Sequence, residues 1–191
     1  MVVHVAGDAS KHAESQQKFL WEVIKRYDAY INASNTKIAV ILSYCMAYLG
    51  AIAFKVFDLL AQRCETWLWW TALILAFASV GATMYAIIRA YGALNPQTPP
   101  GRELHEEPSI VFFGDVANLV GGRDGYVTRI RDITEAEIVE DLARQAHVLA
   151  GIVNTKMKAL NESVRSLAKC QLPLGFLTFL AMSWLSAGAS L

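Results

Sequence analysis

Apolar residues are concentrated in three long runs, Ile38–Phe57, Trp67–Ile88 and Leu172–Leu191, and Lys55 is the only charged residue within them. A helix of about 20 residues is about 30 Å long, which matches the hydrocarbon core of a bilayer. Each run is therefore predicted to be a transmembrane helix, although Pro173 and Gly175 weaken the start of the third. The alternative is a helix buried in a protein core. It is disfavoured because too few polar residues remain to cover three such helices.

Two further stretches have the hydrophobic period of an α-helix. Residues 14–37 keep one apolar face and reach the first run without Gly or Pro, so we expect one long helix from about residue 14. Asp132 and Thr134 are candidate N-caps of a second helix, since each has a glutamate three residues later. That helix carries an apolar stripe with about 3.6 residues per turn: Leu142, Ala146, Leu149, Val153, Met157, Leu160, Val164 and Leu167. The two stripes can pack on each other or on other copies of the chain.

The segment between the second run and the second long helix is irregular in sequence. Residues 95–101 read Asn-Pro-Gln-Thr-Pro-Pro-Gly, which indicates a break, and Ser109–Ala117 is apolar but too short to cross a membrane. We therefore divide the chain into four parts. They are an N-terminal helix (1–37), a two-span hairpin (38–92), a loop with a long helix (93–169) and a third span (170–191).

Lysine and arginine set the expected orientation. Residues 1–37 and 89–169 are rich in both, whereas the short connection 58–66 has only Arg63. The positive-inside rule then places the N-terminus and residues 89–169 in the cytoplasm, and the connection and the C-terminus outside. Because residues 1–18 are polar and have no apolar stretch followed by a cleavage site, we expect no signal peptide. We expect a multi-pass protein of the cell inner membrane.

The overall composition agrees with a membrane protein. Hydrophobic residues make up 54% of the chain and charged residues 18%, and 17 Lys and Arg balance 17 Asp and Glu. This composition excludes a disordered chain and gives no basis for nucleic-acid binding through a basic surface. The predicted fold class is an all-α membrane protein with three transmembrane helices and long cytoplasmic helical extensions. Because three spans enclose no pore alone, we expect a helical-bundle homo-oligomer.

No enzyme signature is found in the sequence. There is no P-loop, no Gly-x-Gly-x-x-Gly and no Gly-x-Ser-x-Gly motif, and the four histidines are scattered. Glu140 and Asp141 are adjacent on a helix and point in different directions, so they do not form a catalytic pair. We therefore expect no enzymatic activity, no catalytic residue, no metal and no cofactor.

Binding of a small anion is a separate hypothesis. Gln145 and Lys156 fall at the same edge of the apolar stripe, where a lysine can meet a phosphate and a glutamine can pair with a base. The structural alternative is that Lys156 extends its ammonium to solvent and Gln145 makes an interhelical hydrogen bond. Phe112, Phe113 and Tyr126 can likewise stack on a base or pack over the helix pair.

The order of these elements resembles a known family. The segments that carry the resemblance are Tyr30-Ile-Asn-Ala-Ser-Asn-Thr-Lys37 before a two-span hairpin, then Ser109–Ala117, Glu140–Ala150, Ile152-Val-Asn-Thr-Lys156 and a last span. Over about residues 15–190 the chain resembles the membrane effectors of Pycsar, a bacterial anti-phage signalling system.

The resemblance implies a non-enzymatic effector at the inner membrane, with the region 93–169 sensing a nucleotide. A partner cyclase or nucleotidyltransferase would make the signal, a cyclic pyrimidine mononucleotide or another nucleotide. The effector would then oligomerise and form a pore or ion channel, or disrupt the membrane, in an abortive infection. Carried over by position, the nucleotide-binding residues are Asn35, Lys37, Phe113, Gly114, Gln145 and Lys156. Two alternatives stay open, a channel that a bound nucleotide holds closed and a membrane scaffold without a signalling role.

Overall fold

The computed structural model of the chain describes residues 2–62, 66–94 and 108–188. The described structure is 92% helical, and it contains no strand. Three of its helical stretches are long and apolar enough to cross a membrane, and they lie within Lys11–Ala61, Trp67–Leu94 and Glu135–Ala187. The predicted all-α membrane fold is therefore confirmed.

The described residues contain six α-helices. They are α1 (Val2–Gln62), α2 (Trp67–Leu94), α3 (Phe113–Ala117), α4 (Gly122–Asp132), α5 (Glu135–Ser166) and α6 (Leu172–Gly188), and a π-helical turn (Leu167–Gln171) joins α5 to α6. The first span is continuous with the helix before it, as predicted, and that helix begins at Val2 rather than near residue 14. The predicted break at 95–101 and the end of the third run at 189–191 lie outside the described residues.

The described residues form two compact units. Unit 1 consists of residues within 1–32 and 97–154, and unit 2 of residues within 33–96 and 155–191. Helices α1 and α5 each contribute residues to both units, because the division falls inside them.

The core of unit 1 joins the two apolar stripes. Ile24 on α1 packs with Leu142, Ala146 and Leu149 on α5. Of the two alternatives for the stripes, packing on each other is therefore what occurs in this unit. Helix α5 begins with a capping box, in which the Thr134 backbone N–H donates to Glu137 Oε2 at 2.7 Å and the Glu137 backbone N–H donates to Thr134 Oγ1 at 3.3 Å. Thr134 is thus the N-cap, and Asp132 instead ends α4.

Helix α4 was not predicted, because three glycines near its start look like a loop. Gly121 and Gly122 have positive φ values of 87° and 56°, which favour glycine. Gly125 approaches the preceding turn so closely that a Cβ atom would lie 2.3 Å from the Val120 carbonyl oxygen. The glycines therefore make a tight turn into a helix instead of a long flexible segment.

In unit 2, α2 presents a buried face of small residues to its neighbours. It packs against α6 and the π-helical turn. After Trp69, the buried face repeats every three or four residues: Ala72, Ala76, Ser79, Thr83, Ala86, Ala90 and Ala93. Small side chains let helix backbones approach closely inside a membrane. The opposite face carries exposed large residues such as Ile74, Phe77 and Ile88, as expected for contact with lipid.

Side chains in the spans also bond between helices. Tyr44 of α1 donates its hydroxyl hydrogen to Gln171 Oε1 at 3.0 Å, and the Tyr48 and Ser79 hydroxyls are hydrogen-bonded to each other. The Trp69 indole N–H donates to the Leu59 carbonyl oxygen at 2.9 Å. These bonds tie α1 to α2 and to the π-helical turn, which suits a bundle whose polar groups have no water to bond with.

The π-helical turn explains how the third span can contain Pro173 near its start and remain helical. The Leu172 backbone N–H bonds to the Leu167 carbonyl oxygen, five residues earlier. A proline inside an α-helix removes one N–H donor and clashes with the carbonyl four residues before it. The wider turn at Leu167–Gln171 precedes Pro173, and α6 continues through Gly175 to Gly188.

Candidate functional site

Lys156 is the candidate whose surroundings are most unusual. Its side chain is only 6% exposed. Its ammonium donates to Asn35 Oδ1 at 3.0 Å and to the Ala93 carbonyl oxygen at 2.6 Å. Both acceptors are neutral oxygens, and burial lowers the pKa of the ammonium. The predicted alternative, an ammonium extended to solvent, is therefore wrong.

Three helices position this lysine. Asn35 lies on α1, Ala93 in the last turn of α2 and Lys156 on α5, and all three belong to unit 2. Ile38, Ala90 and Leu160, which are close to these residues along the three helices, belong to one buried apolar cluster. Lys37 is two residues after Asn35 and is exposed. The structure thus brings Asn35 to Lys156 and leaves Lys37 on the surface.

The other three predicted residues belong to unit 1. Phe113 is 74% exposed, whereas Gln145 is half-buried on α5. Gly114 lies in the first turn of α3, and a Cβ atom there would lie 2.7 Å from an atom of the Phe112 ring. The six predicted residues are therefore divided between the two units.

The segment around Ser109 contains a polar network that the sequence reasoning missed. The Ser109 hydroxyl and the Ile110 backbone N–H both donate to Asp141 Oδ2, each at 3.0 Å. The Ser109 backbone N–H donates to Asp115 Oδ2 at 2.9 Å. Ser109 Oγ in turn accepts the backbone N–H groups of Val111 and Phe112, at 3.2 and 3.0 Å. Asp141 thus anchors the loop before α3 to α5.

Tyr126 also has a structural contact. Its hydroxyl donates to the Ile110 carbonyl oxygen at 3.0 Å, which fastens α4 to the same loop. The rings of Phe112 and Phe113 lie 4.9 Å apart and are tilted by 50°. These contacts hold the loop to α4, while stacking on a base and packing over the helix pair both stay predictions for these aromatic residues.

The sequence contains one indication of this network. Both Ser109 and Asp141 lie within segments that carry the family resemblance. A serine before a helix is a common acceptor for backbone N–H groups. Its partner, however, is 32 residues away, and no local pattern connects the two.

The described residues contain no group of three or more His, Cys, Asp or Glu side chains that could hold a metal ion. The polar groups described above are instead a buried cation with neutral partners and a network that holds a loop. Together with three membrane-spanning helices, they define an integral membrane protein with helical extensions on its spans.

Comparison with protein families identifies the chain further. A family model described as the Pycsar effector protein domain matches residues 19–185. The chain belongs to this family and is a transmembrane effector of anti-phage defence. The family is an effector domain and not a known enzyme family. Searches of curated proteins and of solved structures found no match.

Proposed function

We propose that this effector is regulated by a nucleotide and acts as a homo-oligomer that opens a pore or disrupts the inner membrane. Pycsar effectors respond to cyclic nucleotide signals from a partner cyclase. The observation that carries the proposal to this chain is Lys156, a buried cation with two neutral oxygen partners. We infer that the phosphate of a cyclic pyrimidine mononucleotide binds there.

The buried charge of Lys156 favours an anion as its ligand. A charge taken out of water is destabilising unless an opposite charge or strong hydrogen bonds replace the lost hydration. The two carbonyl-type oxygens beside Lys156 offset only part of this loss, since neither carries a formal charge. An arriving phosphate would supply the missing charge and make charge-assisted hydrogen bonds. Asn35 and the exposed Lys37 are the neighbouring residues that we propose as further ligand contacts.

A purely structural role for Lys156 competes with this proposal. The carbonyl of Ala93 belongs to the last turn of α2, where the helix dipole favours a cation. Lysine side chains near such ends commonly bond to the free carbonyls. If Lys156 binds the ligand, replacing it lowers nucleotide affinity. If it only caps α2, replacing it lowers stability and leaves the affinity unchanged, so an experiment can separate the two roles.

The route from ligand to membrane that we propose is α5 with its continuation. Helix α5 carries Lys156, and the chain remains helical through the π-helical turn into α6, the third span. A ligand changes the membrane part only if it binds one of its states more tightly than the other. We place the N-terminus and unit 1 in the cytoplasm, where the signal is made. Phe113, Gly114 and Gln145 remain proposed ligand residues of unit 1.

Nucleotide binding to the full chain in detergent tests the proposal. We expect cyclic cytidine or uridine monophosphate to bind the wild-type protein, and Lys156→Met to weaken binding at least about tenfold, because a charge-assisted contact contributes about 1.5–3 kcal/mol. Lys158→Met is the matched control, since Lys158 is exposed on the same helix. Isothermal titration calorimetry measures both.

A second readout distinguishes the structural role. If Lys156 only caps α2, Lys156→Met lowers the thermal midpoint of unfolding but leaves the nucleotide affinity of the folded protein unchanged. That result would remove Lys156 from the binding site. Equal binding of nucleotide to the Lys156→Met and Lys158→Met proteins would have the same meaning.

A further inference from the structure

A groove of about 420 Å³ lies on unit 2, between α2 and the junction of α5 with the π-helical turn. Ala82 and Tyr85 form one wall, and the other is formed by Glu162, Arg165, Ser166, Lys169 and Cys170. It is lined by different residues from those around Lys156, and nothing in the nucleotide proposal uses it. Its combination of apolar wall and two cations points to an amphipathic anion.

A neighbouring hydrogen bond shows where the groove lies along the length of the membrane-spanning helices. The Ser163 hydroxyl donates to the Ala86 carbonyl oxygen at 3.1 Å, so this turn of α5 lies beside Ala86. Farther along α5, α2 packs against the π-helical turn and α6. Arg165 and Lys169 therefore lie beside the last turns of the apolar run that ends at Ile88. The groove is thus at the edge of the membrane-spanning part.

The charges at this edge do not balance. Glu162 forms an ion pair with Arg89 of α2, which neutralises its carboxylate. Arg165 and Lys169 are four residues apart and line the same groove. Neither takes part in an ion pair among the described residues. Cations beside a hydrocarbon layer extend toward headgroups and attract anions.

The side chains around the groove indicate what carries the anion. Tyr85 is 55% exposed and Leu172, just beyond Cys170, is 52% exposed. In a bilayer such apolar surface is covered by acyl chains, and basic pockets between transmembrane helices bind acidic headgroups. A water-soluble anion such as free phosphate has no apolar part that could pack against the wall formed by Ala82 and Tyr85.

We propose that this groove binds an anionic phospholipid, with its phosphate between Arg165 and Lys169 and its first acyl methylenes along Ala82 and Cys170. The proposal rests on the membrane location of the spans and is independent of nucleotide regulation. Either proposal can therefore fail without the other.

Native mass spectrometry of the full chain in detergent tests the proposal, with phosphatidylglycerol and phosphatidylcholine as probes of equal chain length. We expect the wild-type protein to prefer phosphatidylglycerol. The double variant Arg165→Gln with Lys169→Gln should bind it roughly 30-fold more weakly, because each cation near an anionic headgroup contributes about 1 kcal/mol and 1.4 kcal/mol is tenfold. Lys158→Gln, an exposed charge on the same helix, should leave the preference unchanged.

A charge-conserving variant separates the effect of the lost charges from an effect of misfolding. Arg165→Lys with Lys169→Arg keeps both charges and should retain the preference for phosphatidylglycerol, whatever it does to stability. The proposal is overturned if wild-type protein binds the two lipids equally, or if the neutral double variant keeps the preference. It is also overturned if millimolar inorganic phosphate or cyclic cytidine monophosphate displaces the lipid completely, since the site would then select a free phosphate.

Discussion

At the scale of single residues, the most informative side chain is Asp141. From its position beside the exposed Glu140, Asp141 would be expected to be another charge on the surface of α5. In the structure Asp141 accepts a hydroxyl and a backbone N–H from the loop at Ser109 and Ile110. A contact of this kind depends on how distant segments meet, so sequence patterns along one helix cannot reveal it.

Replacing Asp141 by alanine should destabilise unit 1. The Ser109 hydroxyl and the Ile110 N–H would lose their acceptor, which costs about 1–3 kcal/mol when the groups remain partly buried. The free energy of unfolding, measured by chemical denaturation of the full chain in detergent, should fall by this amount. Asp141→Asn should retain most of the stability, because an amide oxygen can accept the same two bonds.

Glu140→Ala is the matched control for Asp141→Ala. Glu140 is exposed and pairs with Arg144 at 2.9 Å on the same helix. Exposed pairs of this kind contribute little to stability. An equal loss of stability in the Glu140 and Asp141 variants would contradict the anchoring role of Asp141.

The burial of Lys156 predicts that the free energy of unfolding depends on pH. Burial lowers its pKa in the folded protein below the ordinary value of 10.5, so the unfolded chain holds this proton more tightly. As the pH rises through the folded-state pKa toward 10.5, the destabilising effect of the buried charge diminishes. Wild-type protein should therefore gain stability relative to Lys156→Met as the solution becomes alkaline.

The measurement is a comparison of denaturation midpoints for the two proteins at several pH values, without nucleotide. Lys158→Met serves again as the control, since an exposed lysine should give no such trend. If wild-type protein instead lost stability relative to Lys156→Met with rising pH, burial would not be disfavouring the charged form of Lys156.

At the scale of helices, the hydrophobic pattern predicted most of the fold. The three runs, the two apolar stripes and the Thr134 cap all appear as helices or at a helix start. What the pattern could not predict was the π-helical turn before Pro173, or which face of α2 is buried. Helix α2 is apolar on all sides, so hydrophobicity alone does not distinguish a lipid-facing residue from a packed one.

Side-chain size on α2 makes that distinction testable. Ala86 is fully buried, whereas Ala78 on the same helix is exposed. Ala86→Leu should lower the free energy of unfolding by about 1–3 kcal/mol, because added methylenes in a packed interface force neighbours apart. Ala78→Leu should be nearly neutral, since its side chain would extend into lipid.

Thermal or chemical denaturation of the two variants in the same detergent compares them directly. Equal effects would mean that the Ala86 face of α2 is not the packed face. A strongly destabilising Ala78→Leu would point to a protein contact on the opposite face, as in an assembly of several copies.

At the scale of the whole molecule, three helices are long and apolar enough to cross a membrane, and three crossings would put the two ends of the chain on opposite sides. We predict that a fluorescent protein fused to the N-terminus matures in the cytoplasm, while the same fusion at the C-terminus does not. Alkaline phosphatase, which is active only outside the cytoplasm, should give the reverse pattern. We predict this orientation because Lys and Arg are concentrated in the parts of the chain that the positive-inside rule places in the cytoplasm. Both termini reporting the same side would exclude three crossings.

We propose that a nucleotide controls whether this membrane protein breaches the bilayer. The most direct test is ion flux from liposomes that contain only the purified full chain, with and without cyclic cytidine or uridine monophosphate. We predict flux with nucleotide and little without it. Flux that stops when nucleotide is added would mean that the bound state is closed. No flux under either condition would contradict the claim and favour a membrane scaffold.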